Sequence, residues 1–141
     1  MKQLLSLLFS LFICLTLSAQ TEVTPSLKAP LASKSLLLDI TKVGGTLLVA
    51  VGERGHILTS RDAINWQQAN VPIQSTLTSV FFINNSLGWA VGHDSSILNT
   101  RDGGKNWQIQ QYLPAMQKPL LDVVFKDENN GIAIGAYGQF Y

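Results

Sequence analysis

The sequence predicts an all-β fold built from β-propeller blades, each a sheet of four antiparallel strands. Three observations support this prediction: a repeat of about forty residues, short β-branched or aromatic segments bounded by turn residues, and no helical period after the N-terminal apolar run. Four short strands in every ~40 residues form the unit of a propeller blade. The 141 residues hold about two and a half such units.

The N-terminus has the three parts of a secretory signal peptide. Lys2 precedes an apolar run over residues 4–17, and Ser18-Ala19 follows it as a small-residue exit. We expect residues 1–19 to be removed near Ala19 and the protein to be exported to the periplasm or the medium. An uncleaved anchor is the alternative, although the run is shorter than the ~20 apolar residues that a spanning helix needs.

Composition excludes several classes of protein. The net charge is +1, which argues against a nucleic-acid partner. Cys14 is the single cysteine, and it lies in the apolar run, so no disulfide framework or multi-cysteine metal site is expected. Residues 20–35 contain two prolines and several small polar residues without a period, which is typical of a linker.

The repeat has a constant internal spacing. In each copy a polar residue in the first strand is followed 13 residues later by the glycine that ends the second strand. The pairs are Asp39 with Gly52, Ser79 with Gly92, and Asp122 with Gly135. We place the blades at residues 36–74, 76–114 and 119–141, within a propeller region of 36–141. The third blade stops near the start of its third strand, so we expect part of a larger propeller rather than a ring closed by several copies.

Two loops between the third and fourth strands carry a shared motif. Residues 100–107 read Thr-Arg-Asp-Gly-Gly-Lys-Asn-Trp, and residues 60–66 read Ser-Arg-Asp-Ala-Ile-Asn-Trp, one residue shorter and without glycine. An aspartate can accept bonds from turn amides, glycines supply positive φ, and tryptophan packs against the neighbouring sheet. We therefore predict a structural role for these residues. A catalytic role for the two aspartates is disfavoured, because residues that recur once per blade are arranged radially and do not face each other across a cleft. The residues are Ser60, Asp62, Trp66, Thr100, Asp102, Gly104 and Trp107.

The other polar and aromatic residues favour structural interpretations. His56 and His93 follow second strands at non-equivalent positions, so we expect solvated turn histidines rather than metal ligands. Trp89 is expected to pack between sheets, as are the two motif tryptophans. The third blade is expected to present one apolar inner face, formed by Val123, Phe125, Ile132 and Ile134.

The loop motif resembles the Asp-box, or bacterial neuraminidase repeat. Together with Ala-Val-Gly at residues 90–92 and Ile-Leu at residues 97–98, it resembles the photosystem II stability/assembly factor family. The resemblance covers residues 36–141. It implies a seven-bladed extracytoplasmic propeller that binds a protein partner and assists assembly of a membrane protein complex. It further implies no enzymatic activity, no cofactor and no small-molecule substrate, with arginines in partner binding; the candidates here are Arg54, Arg61 and Arg101.

The alternative is part of a sialidase-like glycoside hydrolase, because sialidases also contain Asp-boxes. Such an enzyme needs three converging arginines, a tyrosine–glutamate pair and an acid. Arg61 and Arg101 occupy the same position of successive repeats and therefore diverge. The glutamates are Glu22 in the linker and Glu53 and Glu128 in turns, which makes the enzyme interpretation the weaker one.

Overall fold

The computed structural model describes residues 22–141, so the predicted signal peptide at residues 1–19 lies outside the described residues. Within this part of the chain the strands form two four-stranded sheets and one two-stranded sheet, all antiparallel. In each sheet the strands lie side by side in chain order, as in a propeller blade. The predicted all-β architecture of four-stranded blades is confirmed.

Blade 1 contains β1 (Leu37–Val43), β2 (Leu47–Gly52), β3 (Ile57–Ser60) and β4 (Gln67–Gln68). Blade 2 contains β5 (Leu77–Phe82), β6 (Gly88–Gly92), β7 (Ser96–Thr100) and β8 (Gln108–Gln111). Blade 3 contributes β9 (Leu120–Phe125) and β10 (Gly131–Gly135), followed by a single bridge between Ile134 and Phe140. The strands are short, rich in β-branched residues and separated by polar turns.

The first strands of the three blades lie next to one another, and a polar row joins them. The Ser79 hydroxyl is 3.2 Å from an oxygen of Asp39 and 2.9 Å from an oxygen of Asp122. The amide of Val80 also donates to Asp39, at 2.8 Å. The polar residue within the first strand of each repeat therefore links neighbouring blades along these strands.

A glycine ends the second strand of each blade because the carbonyl of the residue just before the first strand packs directly against it. A Cβ atom built on these glycines would lie only 2.1 to 2.4 Å from that carbonyl oxygen. The amide that follows each glycine donates to the same oxygen, at 2.8 to 3.0 Å. This contact accounts for the glycine of the repeat on steric grounds. The glycine and carbonyl pairs are Gly52 with Leu36, Gly92 with Thr76, and Gly135 with Pro119.

The apolar core lies between blades. One buried cluster fills the space between blades 1 and 2 and includes Val49, Ile57, Leu98 and Trp107. A second cluster lies between blades 2 and 3, where the ring of Trp89 stacks on Phe125 with centroids 3.5 Å apart and planes at 11°. Burial of these side chains is the main favourable term that holds the blades together.

The prediction that blade 3 presents its apolar residues on one face is wrong. In the register of β9 and β10, Ile132 pairs with Val124 and Ala133 pairs with Val123. Antiparallel partners point to the same side of a sheet, so the apolar residues divide between two faces. Val123 and Phe125 face blade 2, whereas Val124, Ile132 and Ile134 lie on the other face and are exposed.

The antiparallel order places the loops at two ends of the blades. The turns β1–β2 and β5–β6 lie at the same end as the two Asp-box loops, and we call this end the Asp-box face. Arg61 donates to the Thr46 hydroxyl at 3.2 Å, and the Gly103 amide donates to the Ser86 carbonyl at 3.0 Å, which links loop and turn in each blade. The β2–β3 and β6–β7 turns lie at the other end, the opposite face.

Candidate functional site

The Asp-box loop of blade 2 closes around the Asp102 carboxylate. One oxygen accepts bonds from the amides of Lys105 and Asn106, both at 3.0 Å, and from the Thr100 hydroxyl at 2.9 Å. The other oxygen accepts the Asn106 side-chain amide at 2.7 Å. The Thr100 oxygen in turn accepts the Gly104 amide at 3.1 Å. Side-chain acceptors therefore satisfy the turn amides that a short loop leaves without partners.

The Asp-box loop of blade 1 keeps this network with one residue fewer. Asp62 accepts the amides of Ile64 and Asn65 at 2.9 and 2.8 Å, and its second oxygen accepts the Asn65 side chain at 2.7 Å. Ala63 takes the place of Gly104 and has φ = 59°, a conformation that is costly for an L-residue. The missing residue corresponds to Gly103, so the backbone bond that joins loop and turn in blade 2 is replaced in blade 1 by the bond from the Arg61 side chain.

The asparagine in each loop is a structural position that sequence reasoning missed. Asn65 and Asn106 donate to the second carboxylate oxygen through their side chains and to the first through their amides. Both directly precede a tryptophan in the sequence, and this shared position was the available signal. Asn106 also accepts a 2.7 Å bond from Asn70, so it connects blade 2 to the end of blade 1.

Hydrogen bonding keeps both carboxylates ionised. The backbone amide and the side chain of Asn65 hold the pKa of Asp62 far below its ordinary range. Burial raises the pKa of Asp102, but bonds from Asn106, Thr100 and Lys105 outweigh burial and bring the pKa below its usual value. An aspartate whose pKa is lowered by bonds from its own loop is a poor general acid near neutral pH.

Replacing Asp102 with alanine is expected to lower the free energy of unfolding by about 1–3 kcal/mol, because the turn amides lose their acceptor. Asp102→Asn keeps one acceptor oxygen and should cost less. Urea unfolding followed by tryptophan fluorescence measures both. An unchanged unfolding midpoint for Asp102→Ala, together with loss of a ligand or an activity, would assign the residue a functional role instead.

The tryptophans of the two loops make the same kind of bond but differ in burial. Trp107 is 4% exposed, donates to the Gly104 carbonyl at 3.0 Å and meets Phe82 edge to face. It belongs to the buried cluster shared with blade 1. Trp66 makes the corresponding bond to the Ala63 carbonyl at 3.3 Å, but its ring is only half-buried.

The three candidate arginines do not lie together. Arg61 and Arg101 occupy equivalent positions in the loops of the Asp-box face and are exposed. Arg54 lies in the β2–β3 turn of the opposite face, with φ = 56°. A groove of about 460 Å³ runs between the two Asp-box loops, with Arg61 on its blade 1 side, Lys105 on its blade 2 side and both loop aspartates among its lining residues. The Asp-box face therefore presents cations from adjacent blades.

The expectation of a solvated His56 is wrong. Its side chain is 2% exposed and Nδ1 has no hydrogen-bond partner among residues 22–141, whereas His93 is exposed as expected. Burial lowers the pKa of His56 despite the opposing charge of Glu53. A buried histidine of this kind is neutral in the folded protein near neutral pH.

His56 is expected to make stability depend on pH. Below pH ~6.5 the unfolded chain binds a proton at this residue that the folded chain does not, so stability falls as the pH falls toward the lowered folded pKa. His56→Gln, which copies Gln139 at the same position of blade 3, should flatten this dependence. Urea unfolding at pH 7.5 and 5.5 measures it, with His93→Gln as the exposed control. An equally steep dependence in His56→Gln would contradict the assignment.

Two negative findings apply to the part of the chain that the structure describes. Residues 22–141 contain no cluster of three or more histidine, cysteine or acidic side chains arranged to hold a metal ion. Over the same residues, no helix has the length and apolar composition needed to cross a membrane.

The sequence was compared with protein families and with known proteins. Residues 58–133, more than half of the chain, match the family described as photosynthesis system II assembly factor YCF48. The chain belongs to this family. The predicted resemblance to photosystem II assembly factors is thereby confirmed.

Relatives from photosynthetic organisms match parts of this YCF48 family member. The photosystem II assembly protein Ycf48 of Synechococcus sp. (strain JA-2-3B'a(2-13)) is 39% identical over 56 residues, which cover 38% of this chain and 16% of that protein. The photosystem II stability/assembly factor HCF136, chloroplastic, of Arabidopsis thaliana is 28% identical over 100 residues, 69% of this chain and 25% of that protein. The matches therefore span a quarter or less of these relatives.

Two solved structures share the fold. A structure described as YCF48 bound to D1 peptide superimposes with a TM-score of 0.60 at 17% identity, covering 74% of this chain and 35% of that one. YCF48 from Cyanidioschyzon merolae gives a TM-score of 0.52 at 18% identity, covering 75% and 38%. At this level of identity the likeness supports the β-propeller fold alone.

Proposed function

We propose that the protein is a non-enzymatic, exported scaffold that binds a protein partner and assists assembly of a membrane protein complex. Membership of the YCF48 family supports this, because the named relatives are photosystem II assembly proteins. A structure of YCF48 with a D1 peptide supports peptide binding as the mode of recognition. The signal-like N-terminus at residues 1–19 supports export, with removal near Ala19.

One observation carries the proposal: the Asp-box face exposes its arginines while its aspartates are engaged within their own loops. Asp62 and Asp102 accept bonds from their own turns, and their side chains stabilise the blades. Arg61 and Arg101 remain exposed in the same loops. Guanidinium groups bind carboxylates through paired, charge-assisted bonds. This face therefore suits an acidic segment of a partner protein.

The test is a fluorescence anisotropy titration of the labelled D1 peptide with the full chain. Arg61→Gln combined with Arg101→Gln is expected to weaken binding at least tenfold, whereas Arg54→Gln on the opposite face leaves it unchanged. Thermal unfolding of each variant checks that the fold is kept. Absence of binding by the native chain, or equal loss in Arg54→Gln, would contradict the proposal.

The sialidase-like alternative has its own test. Hydrolysis of a fluorogenic sialoside by the full chain, abolished by substitution of an acidic residue, would replace the scaffold proposal with an enzymatic one. We expect no hydrolysis above that of a buffer blank.

A further inference from the structure

A short N-terminal segment lies along the outer edge of blade 1. We call residues 25–29 the strap. The Ser26 amide donates to the Val71 carbonyl at 2.9 Å, and the Gln74 side chain donates to the Pro25 carbonyl at 3.0 Å. The strap falls in the segment that the sequence indicates to be a linker, yet it forms specific bonds with the edge of a folded sheet.

The side chain of Gln68, at the end of β4, binds backbone groups of the strap. Its carboxamide oxygen accepts the Ala29 amide at 3.0 Å, and its nitrogen donates to the Leu27 carbonyl at 2.8 Å. The same nitrogen lies 3.3 Å from the Ser26 hydroxyl. A carboxamide that bonds the carbonyl and the amide on either side of one residue holds an extended chain whatever its other side chains are.

Two side chains of the strap also bond to the edge of blade 1, and these bonds depend on the residue type. The Lys28 ammonium donates to the carbonyls of Gln68 and Ala69, at 2.6 and 2.7 Å. The Ser26 hydroxyl donates to the Arg54 carbonyl at 2.9 Å. The strap therefore places a small hydroxyl residue and, two positions later, a cation against carbonyl groups of this edge.

Hydrogen bonds rather than apolar burial hold the strap. Leu27 is 70% exposed and packs little of its side chain against the blade. Each such hydrogen bond contributes modestly after the exchange with water, more when one partner is charged as in Lys28, and ordering five residues costs conformational entropy. A segment held in this way exchanges readily with a competitor that makes the same bonds.

We propose that the outer edge of blade 1 is a peptide-binding site, that the strap occupies it within the same chain, and that an extended partner segment with the pattern Ser/Thr-x-Lys displaces the strap. This site is separate from the Asp-box face and requires a basic ligand rather than an acidic one. It is therefore independent of the partner binding proposed above, and either proposal can fail without the other.

The probe is a fluorescein-labelled peptide with the sequence of residues 22–31, titrated into the full chain and followed by anisotropy. In the native chain the strap competes within the molecule, at a high effective concentration, so the peptide binds weakly. Lys28→Ala in the protein weakens the strap and is expected to tighten peptide binding at least tenfold. Adding Gln68→Ala to this variant should abolish binding, whereas adding Gln67→Ala, its exposed neighbour on β4, should not.

Hydrogen exchange of the native chain is the second measurement, and it needs no variant. Excess peptide is expected to remove protection from the amides of Ser26 and Ala29 while those of β2 and β3 stay protected. A Lys28→Ala protein that binds the peptide no better than the native chain would overturn the proposal. Binding that persists in the Gln68→Ala background, or unchanged protection of the two strap amides in excess peptide, would do the same.

Discussion

Trp107→Ala is expected to lower the free energy of unfolding by about 3–5 kcal/mol, the cost of removing a large buried aromatic side chain. The ring is 4% exposed and lies in the cluster that joins blades 1 and 2. Its removal leaves a cavity against Phe82 and deletes the bond to the Gly104 carbonyl. Urea unfolding followed by far-UV circular dichroism measures the change without relying on the fluorophore that is removed.

Trp66→Ala is the matched control for this prediction. Trp66 occupies the same motif position and makes the same type of bond, but its ring is only half-buried. It therefore loses less apolar contact and should destabilise the protein clearly less than Trp107→Ala. Equal effects of the two substitutions would mean that the loop bond, rather than packing between blades, sets the contribution of these residues.

Gly92→Ala is expected to destabilise by about 3 kcal/mol or more, because overpacking a rigid site forces the backbone to move. The added Cβ would lie 2.1 Å from the Thr76 oxygen and 2.7 Å from the Leu77 Cα, and neither backbone atom can rotate away. Moving the carbonyl also weakens its bond to the His93 amide. Thermal and urea unfolding measure the loss.

Gly45→Ala tests whether the effect comes from that contact. Gly45 lies in the β1–β2 turn, and a Cβ there would meet nothing within 4 Å. The substitution should change stability by no more than about 0.5 kcal/mol, as is usual at open surface positions. A Gly92→Ala protein as stable as Gly45→Ala would contradict the role assigned to the glycine of the repeat.

The sequence contained most of the information for the blades. Each strand lies between polar turn residues. The interval from Asp39 to Gly52 recurs because two contacts recur: a polar link between the first strands of neighbouring blades, and a backbone carbonyl packed against the glycine. Local features of this kind appear directly in a sequence. The faces of blade 3 did not follow, because they depend on the register in which Ile132 pairs with Val124.

Features that depend on distant partners also escaped prediction. His56 has an ordinary turn sequence around it, and only the packing of the folded chain buries it. The strap is polar and contains prolines, so composition indicates a linker, whereas its bonds are made with Gln68, about forty residues later. In the candidate site, the separation of Arg54 from the other arginines follows from strand direction rather than from any motif.

Arg101 and Asp102 are neighbours in one loop, and we propose partner binding for the first and loop stabilisation for the second. The most direct test is a binding titration with the labelled peptide used to test the proposed function, at a temperature where both variants are folded. We expect Arg101→Gln to weaken binding severalfold without loss of stability, and Asp102→Ala to bind as the native chain does although it is less stable. Loss of binding in Asp102→Ala with native binding by Arg101→Gln would contradict this assignment of roles.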